Sequence, residues 1–444
     1  MIGDLFPRLH VRPATGWIND PNGIGYWDDA WHVMFRYNPD ASVWGDIRWG
    51  HMISTDLVSW REVPVALAPR PGTIDASGIW SGVATLENGR PTLVYTAIPH
   101  EGGATLAARV ALARENGAAS WQQSDVAVTD QAPENVRDVR DPFLFSFNGR
   151  RLAVQGAGTL DGTPLVLLYD ASDLDHWTYL GELFRGDSQL ARDLAPGQLY
   201  ECPQLVQVDG HWILVLSLWD DALPGSAEFG PQRAVWLSGE LVPHGEAPDG
   251  AATDPAALTF VPTIGGTLDA GTAFYAPQIV IDSSTDRTLS WGWSWEGTRS
   301  EPPLEAPERE WAGILTFPRE LRVENGVVAS APAPEVLAAF DVESTPSAIE
   351  TTSVWLASLD PQGQPLRVMI SLVGSAGERA VWTSPLAVEQ VLVIVDGSIM
   401  EAYVDGQAST ERVYPRADEV WRISATDASG EALVPSLRTS SLAN

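Results

Sequence analysis

Phe143–Gln155 reads FLFSFNGRRLAVQ. Two apolar, aromatic-rich runs flank Asn148-Gly149, a dipeptide that tolerates positive φ at both turn positions. That is a β-hairpin signal. The same grammar recurs along the chain. Gly25–Trp27 and His32–Phe35 flank Asp28-Asp29, and Leu205–Val208 and Trp212–Ser217 flank Asp209-Gly210. Gln278–Ile281 and Thr288–Trp293 form a further pair with a longer loop. A helical period appears only at Pro334–Phe340, PEVLAAF. Hairpins recurring over about 300 residues predict an all-β chain in a closed radial array, a β-propeller rather than a single sandwich.

Val327–Pro334, VVASAPAP, is small, uncharged and Pro-containing. It predicts a boundary: a propeller over 1–326, a linker with a possible short helix over 327–341, and a second domain over 342–444. The last segment again alternates runs with turns, at Asp360-Pro361, Gly374–Gly377, Asp396-Gly397 and Asp405-Gly406. That pattern fits a β-sandwich.

The formal net charge of −31 opposes nucleic-acid or anionic-membrane partners by Coulomb repulsion. Every basic residue among the 27 is arginine, for which we have no functional account. Cys202 is the only cysteine, which excludes an intrachain disulfide and a cysteine zinc cluster. MIGDLFPRLHVRP is not a secretory signal, and no stretch of about 18 apolar residues appears. The expectation is a soluble, cytoplasmic protein. The 19 tryptophans fit carbohydrate binding and β-rich cores equally.

Three acids share one grammar: acid, at most one residue, proline, strand. Asp20 lies in WINDPNG (Trp17–Gly23), Asp141 in VRDPFLF (Val139–Phe145) and Glu201 in LYECPQL (Leu199–Leu205). Turn-forming neighbours predict Asp20 at a strand end or turn rather than in a buried run. Trp17 and Asn19 beside it offer an apolar face and an amide for a sugar. Arg140 would keep a nearby carboxylate ionised. The apolar neighbours of Glu201 predict a raised pKa, suited to a general acid. In a propeller the innermost strands line the axis, so three such sites can converge. Each acid alone is equally read as a structural turn residue.

Taken together, the motifs resemble glycoside hydrolase family 32, the invertases, levanases and inulinases acting on β-fructofuranosides. The resemblance runs through HVRPATGWINDPNG (His10–Gly23), WGHMISTDLVSW (Trp49–Trp60), IWSGVAT (Ile79–Thr85) and VRDP (Val139–Pro142). It continues through YECPQL (Tyr200–Leu205), DAGTAFYAPQ (Asp269–Gln278), GWSW (Gly292–Trp295), FPREL (Phe317–Leu321) and VDGSIMEAYVDG (Val395–Gly406). It implies a five-bladed β-propeller joined to a β-sandwich, and a retaining glycosidase. Asp20 would be the nucleophile and Glu201 the acid/base. Asp141 would hold fructose hydroxyls and stabilise the transition state. Retaining carboxylates stand about 5–5.5 Å apart. Asn19, Arg36, Trp44, Trp80, Ser81, Arg140 and Trp293 would form the binding shell. A core role for Trp44 and Trp293, and a satisfied strand serine at Ser81, are the competing readings. Asp269 and Tyr275 are expected to reach the site from a later hairpin, Cys202 to pack beside Glu201, and His51 to be structural. No cofactor or metal is called for.

Two departures bear on substrate. Arg36 in MFRYNP (Met34–Pro39) stands where the family usually has glutamine, and Trp80 where phenylalanine is more usual. Arg36 is longer, charged and donor-only, and is expected to redirect specificity. The function expected is an exo-β-fructofuranosidase on sucrose or short fructo-oligosaccharides. The alternatives are a fructosyltransferase or cyclic-difructose enzyme, and a non-catalytic sugar-binding propeller.

Overall fold

The structure, a computed structural model, describes residues 5–99, 108–117, 120–220, 233–243, 257–282, 284–296, 310–344, 354–360, 366–385, 388–427, 430–433 and 436–442. The chain is all-β, with short helices at Gln189–Leu194 and Pro334–Ala338.

Five antiparallel sheets follow one another along the first three-quarters of the chain. Their first strands are Gly16–Trp27, Gly78–Glu87, Val136–Phe147, Leu199–Val208 and Tyr275–Asp282. In each sheet the next strands pair outward in sequence order, and every predicted hairpin pairs. Both turn residues have positive φ at Asn148-Gly149 (50° and 75°), which matches the right-handed twist of the flanking strands. The five first strands contact one another cyclically, the fifth meeting the first. Trp311–Ala312 closes the ring by pairing parallel with Gly16–Trp17, while Ile314–Leu315 pairs with the fifth sheet.

Val327–Pro332, expected in the linker, is instead the fourth strand of the fifth sheet. Asn325-Gly326, with φ of 52° and 80°, makes the hairpin turn before it. That dipeptide outweighs the small, uncharged composition that suggested a linker. The short helix begins only at Pro334, where proline suits the first turn.

A six-stranded and a four-stranded sheet form the rest. Their facing side chains share a core in which Trp355 meets Trp421 edge-on at 5.5 Å. Among the described residues no helix is long and apolar enough to cross a membrane.

Candidate active site

The first and third inner strands slip register twice against their hairpin partners, and every inner strand carries one slip of a shared kind. The extra residues are Asn19-Asp20, Ser81, Asp141-Pro142, Cys202-Pro203 and Ala276-Pro277. A bulge bends its strand and re-aims the side chain, and proline is tolerated there because no ladder N–H is required. Asp141, Cys202 and Ala276 take φ of +59°, +44° and +46°, conformations rare for non-glycine residues and typical of functional sites. Asp20 is therefore buried inside a strand, not at a strand end or turn as its neighbours predicted. Pro21 marks a bulge within pairing strands rather than their boundary.

The bulges bring the acids together. Asp20 Oδ2 accepts from Ser81 Oγ at 2.6 Å and from Arg36 Nη1 at 3.3 Å. Arg36 is the residue that the Asn19-Asp20 bulge skips, which is why it lies alongside. Asp141 Oδ2 accepts from the Cys202 amide at 3.0 Å, and the Asp141 amide donates to Thr96 Oγ1 at 2.8 Å. Glu201 Oε1 accepts from Arg140 Nε at 3.0 Å and Nη2 at 2.9 Å. Glu201 Oε2 accepts from Tyr275 Oη at 2.7 Å. The Arg36 and Arg140 guanidinium carbons lie 5.5 and 5.6 Å from the Trp80 ring centroid, close enough for cation–π attraction.

The electrostatics differ from the sequence expectation. Glu201 is not in an apolar pocket: its neighbour Tyr200 turns away to bond Ala195 O, and its carboxylate is met by Arg140 and Tyr275. Of its apolar neighbours, Cys202 turns to Asp141, with its Sγ 3.6 Å from Asp141 Oδ2. Asp141 carries a raised carboxyl. Burial pushes it up to about 6, Arg140 opposes, and the charges of Glu201 and Asp20 add to the rise. Burial opposes the charge of Arg140, but Glu201, Asp141 and Asp138 outweigh it and raise its pKa. Burial and then Glu201 push Tyr275 well above its ordinary value, so it stays a donor.

Other expected residues fall in different places. Asn19 is buried, and its Oδ1, like Arg36 Nε, finds no partner among the described residues. Trp44 is 59 % exposed, on the loop between Ala30–Asn38 and Arg48–Ser54, at the end of the sheet nearest Asp20. Trp293 is 2 % exposed and packs edge-on against Trp17 and Trp295 at 5.9 Å each, so it is a core residue behind Tyr275 rather than an open wall. His51 bonds His32 at 2.9 Å, away from the acids. Asp269 meets Arg319 and Thr410 instead of the site.

Sequence reading missed Thr96 and the side-chain amides just past the bulges. Asn22 Oδ1 accepts from the Gly82 amide at 3.0 Å, and Gln204 Oε1 from the Ile279 amide at 3.1 Å. Gln278 Oε1 accepts from the Ile24 amide at 2.9 Å while its Nε2 donates to Gly82 O at 2.7 Å. These side chains stitch neighbouring inner strands beneath the acids. The repeated Pro-Asn and Pro-Gln pairs were the available signal.

Residues 10–332 match the model of the glycosyl hydrolases family 32 N-terminal domain. The chain is 27 % identical to the sucrose-6-phosphate hydrolase of Escherichia coli, over 94 % of this chain and 90 % of that protein. It is 32 % identical to the sucrose-6-phosphate hydrolase of Salmonella typhimurium, over 75 % of this chain and 68 % of that one. Its fold is similar to that of a β-fructofuranosidase of Bombyx mori, with a TM-score of 0.78 and 23 % identity, over 99 % of this chain and 94 % of the other.

Proposed function

The chain belongs to glycoside hydrolase family 32, and from that premise we propose that it is a retaining β-fructofuranosidase that hydrolyses sucrose or sucrose 6-phosphate. On this reading the five sheets around the ring are the blades of a five-bladed propeller and the last two sheets form a sandwich. The observation that carries the mechanism is the unequal dressing of two carboxylates. Both donors to Asp20, Ser81 and Arg36, converge on Oδ2. The other oxygen is left to attack the anomeric carbon.

Glu201 has both oxygens engaged, and its donors explain how it carries a proton. Tyr275 Oη also lies 3.1 Å from Leu218 O. When Glu201 takes a proton on Oε2, the tyrosine hydrogen turns to that carbonyl. Asp20 then forms the bond to the anomeric carbon as the glycosidic bond breaks, and the leaving oxygen takes the Glu201 proton. In the second step water attacks, returns a proton to Glu201 and frees Asp20. Asp141, buried between the two, accepts sugar hydroxyls and balances positive charge on the ring in the transition state. The unpartnered Asn19 Oδ1 and Arg36 Nε supply an acceptor and a donor to the substrate.

The test is fructose release from sucrose, sucrose 6-phosphate, kestose and inulin by the wild type, Glu201→Ala and Arg36→Gln. Glu201→Ala is expected to lose about 10³-fold in kcat on sucrose. Its loss on a fructoside with an activated phenol leaving group is expected to be much smaller, because that oxygen departs without a proton. Equal losses on both would remove Glu201 from the acid role. Arg36→Gln is expected to reorder the substrates; an unchanged ranking would end the specificity reading.

A further inference from the structure

The six-stranded C-terminal sheet meets the short segment that leads into the candidate site. Asp269–Ala273, DAGTA, precedes the inner strand that starts at Tyr275. It lies along the strand Gln407–Arg412 of the six-stranded sheet. Asp269 bridges in parallel to Ala408, the Ala270 amide donates to Ala408 O at 2.8 Å, and the Ala273 amide donates to Thr410 O at 3.1 Å. The approach is so close that a Cβ on Gly271 would lie 2.1 Å from the Thr410 carbonyl oxygen.

Asp269 is the centre of this junction. Its Oδ1 accepts from the Thr410 amide at 2.9 Å and the Gly271 amide at 2.8 Å. Its Oδ2 lies 2.6 Å from both Arg319 Nη1 and Thr410 Oγ1. Arg319 reaches on to Glu401 through Nε at 2.9 Å and Nη2 at 2.6 Å. Glu401 Oε1 lies 3.0 Å from His10 Nε2 and accepts from the Phe317 amide at 2.8 Å. The whole cluster is buried. A buried carboxylate with four donors fixes its backbone far more tightly than a surface turn would be fixed. Phe274 follows, with the Arg319 guanidinium 5.0 Å from its ring, and then Tyr275, whose hydroxyl holds Glu201.

We propose that the C-terminal domain is a working part of the active site, and that Asp269 is a positioning residue which, by anchoring DAGTA on Thr410, sets the place of the Tyr275 hydroxyl against Glu201. This rests on the assignment of Glu201 as acid/base. Displacing the hydroxyl by an ångström breaks a bond to Glu201 without touching the sugar. Asp269 therefore acts on kcat and only through Tyr275.

The experiment is a double-mutant cycle on sucrose with Asp269→Asn, Tyr275→Phe and the double variant, below the unfolding temperature of each. Asp269→Asn is expected to lower kcat about tenfold with KM within about twofold, and Tyr275→Phe to do at least as much. In the Tyr275→Phe background Asp269→Asn is expected to cost less than about twofold. Losses that multiply, or a change confined to KM, overturn the coupling. Should Asp269→Asn fail to fold, Thr410→Val removes one donor from the same carboxylate and enters the cycle in its place. Glu201→Ala, run in parallel, separates the two readings. If it keeps wild-type turnover, the acid assignment fails and the inference falls with it. If it is inactive while the cycle multiplies, only the coupling falls.

Discussion

Among single residues, Asp141 carries the clearest electrostatic cost of burial. It is a buried carboxylate pushed up from 3.8 to about 6. An acid with a folded pKa above its unfolded one contributes its full stability below pH 3.8 and loses it as pH rises through about 6. At pH 7.5 the buried charge costs up to ~3 kcal/mol, with Arg140 already offsetting part of the burial. Asp141→Asn keeps the shape and the acceptor for the Cys202 amide. It is expected to be ~1–3 kcal/mol more stable than the wild type at pH 7.5 and to lose about half of that advantage at pH 5. Urea denaturation at the two pH values measures this; a constant difference would mean that the charge is not the cause. Activity should fall by about 10³-fold in the same variant.

At the scale of elements, the bulged inner strand is the unit that the molecule repeats. The same break in pairing presents Asp20, Ser81 and Asp141 to the axis, and the amides just beyond it tie the strands into a ring. Gln278 binds a backbone amide of the first sheet and a backbone carbonyl of the second, from the fifth. Leucine there leaves both groups buried without those partners. Gln278→Leu is expected to cost about 2–5 kcal/mol, read as a lowered urea midpoint. A change under about 0.5 kcal/mol would show that the ring is held by its core alone. The hairpins were legible because Asn-Gly and Asp-Gly demand a particular turn. The bulges were not, since Asp-Pro inside a strand looks like a strand boundary until a partner strand pairs on both sides of it.

For the whole molecule, buried histidines give the acid response. His32 stacks on Trp27 at 3.9 Å and bonds His51, and burial lowers the two to about 4 and about 3. Above their unfolded value of about 6.5 they bind no proton in either state and cost nothing. As pH falls below that value the unfolded chain takes up protons that the folded one refuses. Stability is then lost between about pH 6.5 and 4, by up to about 6 kcal/mol for the pair. His10 works the other way. Burial lowers it, but Asp396 at 2.8 Å and Glu401 at 3.0 Å raise it overall, so its clamp on the C-terminal sheets weakens only as pH rises through that raised value. Between pH 6.5 and 5, where few carboxylates titrate, His51→Gln is expected to flatten the fall in urea midpoint. Parallel curves for variant and wild type would exclude the pair.

The order of local motifs determined the all-β class of the fold and singled out Asp20, Asp141 and Glu201 as candidates, because turn chemistry and strand alternation act over a few residues and are written there. The boundary after the fifth sheet was misplaced where composition was read ahead of Asn325-Gly326. Only the tertiary structure decided what surrounds each acid. The partners of Asp20, Asp141 and Glu201 come from residues up to 74 positions away: Ser81, Thr96, Arg140 and Tyr275. Arg140 and Cys202 adjoin Asp141 and Glu201 in sequence, yet each bonds the other acid, so local neighbours said little about the surroundings of either. The bond to Asp269 from the Thr410 amide, 141 residues on, joins the segment ahead of Tyr275 to the six-stranded sheet. No local pattern encodes that, because the contact energy exists only once both surfaces are built.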